Sequence, residues 1–427
     1  MSDPGCTETD PAGIKKTHPL GDKPHMKKLP LVLALSAASV CTLASAQTSV
    51  QIYGRLYPYL NSEKASGATA AGTAGATLAG SATGPSVISN GIKGMAAGNS
   101  NLGFKGTEGL GGGLSAEFQI EGTVAVDDGS AAGFSWNRNT FVGLNGGFGS
   151  IKLGLMDTVF KEYGDTIGVL GVSSGTPMSS SNILRKISFG TSSASRFHER
   201  RANSIRYDSP EFAGGFGAGL QVATQENPNT TTGIGPQKTW SFGLKYDQGP
   251  WYFAVAHEIH DNWFGGSSNA PSAMRNNAQV GITSKDKATQ VTVEWRPSKV
   301  HKIEFDYIKK SYDENANVAG RFLSYSNVAY LVGWEARWSE QWRTVAQVVK
   351  ANAGSCSRVA AVCSTDGLEG SKFITGASYY INRRTYIFAV YDKMTNGKSA
   401  RYAANDFGAA NHGEDSTHLI MGLSKGF

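Results

Sequence analysis

Apolar and polar residues alternate with a period of two along most of the chain, and most clearly at its end. In residues 415–427 (DSTHLIMGLSKGF), Leu419, Met421, Leu423 and Phe427 share one parity while His418, Gly422 and Ser424 take the other. This is the pattern of a strand with one apolar and one polar face, broken only by Ile420. A closing strand of this kind needs a partner on each edge. The first strand of the mature chain is the natural one, and that pairing closes a barrel and removes both edges. The alternative is an ordinary terminal edge strand, and the rest of the chain has to decide.

Taken in order, residues 48–60 (TSVQIYGRLYPYL) set Val50, Ile52 and Leu56 against Gln51, Tyr53, Arg55 and Tyr57, with Pro58 marking the strand end. Residues 61–98, rich in Ala, Gly, Ser and Thr, read as a loop too poor in large apolar groups to pack. Residues 101–107 and 114–126 form a hairpin around EGLGGG, and 137–144 with 150–155 form the next across NGGFG. From 157 to about 198 the strand pattern disappears, and so long a loop inside a compact domain is usually functional. It begins with Asp157, Glu162 and Asp165 and later carries Arg185, Lys186 and Arg196.

Strand patterns return at 201–209, 214–224, 238–247, 251–260, 288–296, 301–312, 327–339, 341–351, 372–382, 385–393 and the closing segment, giving sixteen strands in all. Short connections alternate with long polar ones, as expected of a barrel with tight periplasmic turns and long outer loops, and the even count puts both termini on the periplasmic side. Residues 276–287 are assigned to an outer loop, because Lys285, Asp286 and Lys287 interrupt the alternation.

The N-terminal region sets the compartment. Met26 opens a second plausible start, with Lys27 and Lys28, a short apolar stretch over 29–40 and Ala44-Ser45-Ala46 before Gln47. That is the layout of a secretory signal peptide over residues 26–46, with 1–25 a mis-assigned start or extension and 47–427 the barrel. The apolar stretch is shorter than the roughly 20 residues of a membrane-spanning helix. Five lysines and four acids leave with the first 46 of the residues, so of 40 basic and 34 acidic residues 35 and 30 remain. Cys6 and Cys41 leave too. Cys356 and Cys363, in the polar stretch 352–369, are expected to form a local loop staple in an oxidising periplasm. With 53 Gly, 16 Tyr and 19 Phe, no long apolar run and a mean hydropathy of -0.26, the composition excludes a helical membrane protein. It suits a transmembrane barrel, which shows lipid only every second residue.

At SVQIYGR, NLGFKGTEGLGGGL, FVGLNGGFGSIKLG, RANSIRYDSPEFAGGFGAGLQV and the terminal Phe427, the chain resembles the general trimeric porins of Gram-negative outer membranes, particularly their β-proteobacterial branch. The resemblance spans essentially the whole mature chain. It implies an all-β fold, a 16-stranded antiparallel transmembrane β-barrel whose long third outer loop folds into the lumen as a constriction. It also implies a homotrimer in the outer membrane, in contact with lipid and lipopolysaccharide, and passive diffusion of small hydrophilic solutes and ions with a weak anion preference. Carried over residue by residue, Arg55, Arg138 and Arg201 are wall bases, and Asp165, with Asp157 and Glu162, supplies acids on the constricting loop. Asn101 stands where many members place Arg, which weakens the basic cluster, although Lys105 shares its parity and adds charge.

The residues alone agree that Arg55 faces away from lipid, since Val50 and Leu56 take the opposite parity and a charge on the lipid face near the midplane costs about 2–4 kcal/mol. Trp251, Tyr252, Trp334, Trp338, Trp342, Tyr379, Tyr380 and Tyr386 fall near strand ends, where interfacial girdles belong. His257 and His260, three apart on a strand, point to opposite faces, so they make no metal pair. Gly 111–113 joins strand to strand and cradles no phosphate. Neither a cofactor, a metal nor nucleic acid is called for. Three other readings stay open: a channel preferring one solute class, such as organic acids; an outer-membrane hydrolase using Ser416 and His418; and a secreted β-rich adhesin.

Overall fold

Backbone N–H and C=O groups have no water to bond in a hydrocarbon layer, so alternating strands can cross it only as a closed sheet. The computed structural model shows such a sheet. It describes residues 49–84, 90–129, 135–164, 167–168, 176–187, 197–226, 235–403 and 410–427. The segments read as extension and signal peptide, residues 1–46, lie outside the described residues, as do Asp165 and Arg196.

Nineteen strands occur among the described residues. The first seven are β1 (Ser49–Leu56), β2 (Tyr59–Ser66), β3 (Asn90–Ala96), β4 (Asn101–Gly111), β5 (Leu114–Thr123), β6 (Thr140–Gly146) and β7 (Gly149–Asp157). Two short helices follow, α1 (Val159–Tyr163) and α2 (Ser181–Leu184). The wall resumes with β8 (Arg200–Asp208), β9 (Phe216–Thr224), β10 (Lys238–Gln248), β11 (Trp251–Asp261), β12 (Ser284–Trp295) and β13 (His301–Glu314). It ends with β14 (Phe322–Arg337), β15 (Trp342–Ala351), β16 (Ser355–Arg358), β17 (Gly370–Asn382), β18 (Thr385–Asn396) and β19 (Asp415–Gly426).

Every pairing is antiparallel. β1 and β2 form one stave, because both meet β19 in a continuous register, Leu56 opposite Lys425 and Tyr59 opposite Gly422. β3 and β4 form the second, opposite β2 and β1. β16 is a short outer extension on β14. With these merged the wall has sixteen staves, and β19 closes it against the first, as the final alternation predicts. Leu419, Met421, Leu423 and Phe427 stand exposed on the outer face with Val50 and Ile52, while Ile420 is buried on the inner one. The Phe427 N–H donates to the Gly54 carbonyl.

Four expectations are corrected. The first stave does not stop at Pro58, because the proline removes only one donor and its carbonyl still accepts from Leu423 N. Residues 59–66 and 90–96 are therefore wall and not loop. β12 starts at Ser284, and Lys285, Asp286 and Lys287 keep the alternation, with both lysines outward and Asp286 buried inside. Residues 322–326, read as loop, extend β14 outward to pair with β16, which holds Cys356. Cys356 is disulfide-bonded to Cys363, with Cα atoms 5.7 Å apart. Finally, Tyr252, Tyr380 and Tyr386 are not girdle residues. Tyr252 and Tyr386 are buried on the inner face, where the Tyr380 ring packs at a tilt against Tyr386 at 4.6 Å. The girdle is formed by others, such as Trp251 stacked on Trp295 at 5.9 Å and Trp342 against Tyr379 at 5.1 Å.

Candidate pore constriction

Inside the wall, polar side chains occupy the parity that the outer apolar residues leave. One inward row runs in register through Thr107, Glu117, Gly143, Lys152, Arg206 and Gln221, across six adjacent strands. Lys152 Nζ lies 3.8 Å from Glu117 and 3.6 Å from Asp208. Arg206 is almost wholly buried; its Nη2 meets Asp208 at 2.7 Å, and its Nη1 donates to the Asp157 carbonyl at 3.1 Å.

The chain leaves this wall at Asp157. Thr158 caps α1, its hydroxyl accepting from Lys161 N at 3.2 Å, and the single turn that follows presents Lys161 and Glu162. Glu162 Oε2 reaches back to Arg206 Nη2 at 2.5 Å while remaining 45% exposed. Asp157 is held by Lys161 at 2.6 Å and Arg200 at 3.2 Å, with Asn139 donating from its amide at 3.2 Å. An acid on the loop therefore faces a base on the wall through Glu162 and Arg206.

The other anticipated residues divide. Arg138 is ion-paired with Glu121, which also accepts from Tyr53 OH at 2.8 Å. Lys105 stands over the Tyr53 ring at 5.1 Å. The Tyr53 ring can lie there only because Gly103 has no side chain; a Cβ would come within 2.6 Å of it. Arg55 lies on the same inward face, its guanidinium 4.8 Å from the Tyr57 ring, and its N–H donates to Asn101 Oδ1 at 3.1 Å. Asn101 thus serves the local backbone. Arg201 is buried beside Glu199 at 3.1 Å and the Trp263 ring at 4.4 Å, outside the Arg206 cluster. A bulge with Asn203 at φ 52° lets it and Arg206 both face inward despite opposite parity. Asp165 is outside the described residues.

Sequence reasoning missed Arg206, Lys152, Glu117, Glu121 and Arg200. Parity could have found most of them: Lys152 sits between Ile151 and Leu153, and Arg206 between Ile205 and Tyr207.

The segment between β7 and β8 is bonded to inward side chains around much of the barrel. Phe160 N donates to Ser241 Oγ at 2.9 Å, Tyr252 OH to the Tyr163 carbonyl at 2.8 Å, and Ile167 N to Glu304 at 2.9 Å. Arg185 donates to Gln290 at 3.2 Å and also to the Gly164 carbonyl. Lys310, fully buried, donates to the Leu184 and Lys186 carbonyls at 3.0 and 2.7 Å. Lys372, paired with Asp392 at 2.9 Å, donates to the Pro177 carbonyl. Ile167 and Met178 bury against inward Val345, Ile374, Val390 and Ile420, which explains why Ile420 breaks the polar parity. These partners are inward groups of β10 to β13, β15, β17, β18 and β19, so the described parts of the third outer loop lie against the inner wall.

His257 and His260 do face opposite ways: His257 bonds Thr289 Oγ1 at 2.8 Å outside, and His260 bonds Glu258 at 2.8 Å inside.

A closed antiparallel barrel with an apolar outer band and a charged, loop-lined interior defines an outer-membrane β-barrel of the channel class. The chain belongs to the Gram-negative porin family, whose model matches residues 32–399. It is 31% identical over 245 residues to the major outer membrane protein P.IB of Neisseria meningitidis serogroup B, covering 56% of this chain and 62% of that one. To outer membrane porin protein 32 of Delftia acidovorans it is 33% identical over 234 residues, 53% of this chain and 57% of that one. Its matches thus span about three-fifths of these relatives' length. Among solved structures it shares the fold of the anion-selective porin from Comamonas acidovorans, with TM-score 0.62, 20% identity, and 89% and 100% of the two chains covered. The trimer form of OmpT from Vibrio cholerae gives TM-score 0.58 at 13% identity, covering 89% and 99%. Family and relatives together place the chain among the outer-membrane porins.

Proposed function

We propose that the barrel is a water-filled passage for the passive diffusion of small hydrophilic solutes and ions, with a weak anion preference, and that it acts as a homotrimer set in lipid and lipopolysaccharide. The observation that carries this reading is the Glu162–Arg206 pair, a loop acid against a wall base beside Lys152, Asp208 and Glu117. Opposed charges along a narrow aqueous path make a transverse field that orients polar solutes and disfavours apolar ones. The near balance of bases and acids, Arg138 with Glu121 and Arg201 with Glu199 included, supports a weak preference in place of a strong one.

The Comamonas acidovorans neighbour is an anion-selective porin, which favours the anionic sign, and the trimer form of Vibrio cholerae OmpT favours the trimer. Arg55, Lys105, Arg138 and Arg201 belong to the wall side of this reading; Asp157, Glu162 and Asp165 belong to the loop side. Residues 26–46 act as the signal peptide that brings residues 47–427 to the membrane. Single-channel recording of the mature chain under a KCl gradient is the test. Stepwise openings in threes with a reversal potential modestly favouring chloride are expected, and folded protein that gives no openings refutes the passage.

A further inference from the structure

We infer that the periplasmic mouth carries a second site, a pocket for small organic carboxylates distinct from the constriction. It lies at the short-turn end of the wall, where β14 turns into β15 and β17 into β18. The cavity is about 240 Å³, and Arg337, Arg343 and Arg383 converge on it beside Tyr380, Trp342 and Glu340.

Two of the guanidinium groups are held in place. Glu335 binds Arg337 Nε at 3.3 Å and lies 3.7 Å from Arg343 Nη1, so one carboxylate serves two bases. Arg343 also packs over the Tyr380 ring at 5.3 Å, and Tyr380 is itself packed at a tilt against Tyr386. The Arg343 Nε is nevertheless buried without a hydrogen-bond partner among the described residues. A guanidinium fixed by a carboxylate and an aromatic ring is pre-organised, so its remaining N–H groups take a carboxylate with little further loss of freedom. Arg383, on the turn between Asn382 and Thr385, brings a third positive charge. Three bases against Glu335 and Glu340 leave the pocket one charge short of neutrality, which an anion supplies. Tyr380 gives the rim an apolar wall for a short carbon chain, and the volume holds a four-carbon dicarboxylate. Nothing in this cluster touches α1 or the Arg206 group, so the site stands apart from the selectivity described above.

The test is isothermal titration of the folded, detergent-solubilised protein with sodium succinate at low salt, a binding readout that needs no open channel. Saturable millimolar binding is expected. Arg383→Gln, on an exposed turn, and Arg343→Gln should each weaken it about tenfold, the loss expected when one charge-assisted contact is removed, while Arg206→Gln leaves it unchanged. Absence of saturable heat, or binding lost with Arg206→Gln and kept with Arg383→Gln, overturns the assignment. Because this rests on the porin reading only for the position of the mouth, bilayer currents and succinate binding fail independently.

Discussion

Neutralising Glu162 and neutralising Arg206 should move ion selectivity in opposite directions. Around this point the lumen holds two bases, Arg206 and Lys152, and three acids, Glu162, Asp208 and Glu117. Glu162→Gln leaves two of each, and Arg206 stays anchored by Asp208 and the Asp157 carbonyl. Arg206→Gln leaves one base against three acids. An ion passing about 6 Å from a unit charge in water feels about 0.7 kcal/mol. Screening with a Debye length of about 10 Å at 0.1 M reduces this to about 0.4 kcal/mol, a factor of about two for each ion and, because chloride and potassium shift in opposite directions, about four in their permeability ratio; at 1 M, where the length is about 3 Å, about 0.1 kcal/mol per ion remains. Reversal potentials under KCl gradients should therefore show the chloride-to-potassium permeability ratio rising about fourfold in Glu162→Gln and falling about fourfold in Arg206→Gln at low salt. Both effects should nearly vanish near 1 M. Shifts of the same sign in the two variants, or shifts indifferent to salt, would show that this pair does not face the ion path.

Three further outcomes follow from contacts elsewhere. Lys310→Met removes the ammonium that bonds the Leu184 and Lys186 carbonyls, and each buried acceptor left unmade costs about 1–3 kcal/mol; open-channel current noise should rise, and an unaltered quiet trace would count against the loop being held from β13. Gly103→Ala places a methyl 2.6 Å from the Tyr53 ring and breaks its bond to Glu121, an overpacking cost of about 1–3 kcal/mol; the temperature at which the folded band is lost on a semi-native gel should fall. Cys356→Ser opens a seven-residue staple in an outer loop; chain entropy assigns such a loop about 2 kcal/mol, so protease should cut near residues 356–363 sooner while conductance is unchanged.

The alternation of apolar and polar residues determined the fold class, the sixteen staves, the closure through Leu419, Met421, Leu423 and Phe427, and which side of each strand meets lipid. Those properties are local, because a strand's face follows from parity alone and a membrane leaves no other way to satisfy the backbone. Parity misled where a neighbour changed the rules. Pro58 stayed in the wall because its carbonyl found Leu423, and Lys285 and Lys287 kept their outward places in β12, which runs on into residues read as loop. Which acid meets which base was decided only in three dimensions. Glu162 and Arg206 lie 44 positions apart, and their contact depends on the path of the loop. Lys310, Lys372, Glu304 and Gln290 hold that path from strands far along the chain, and Ile420 is apolar on a polar face because the same loop covers it. No spacing in the sequence records such long-range closures, since the partner that makes each residue intelligible arrives only when the barrel shuts.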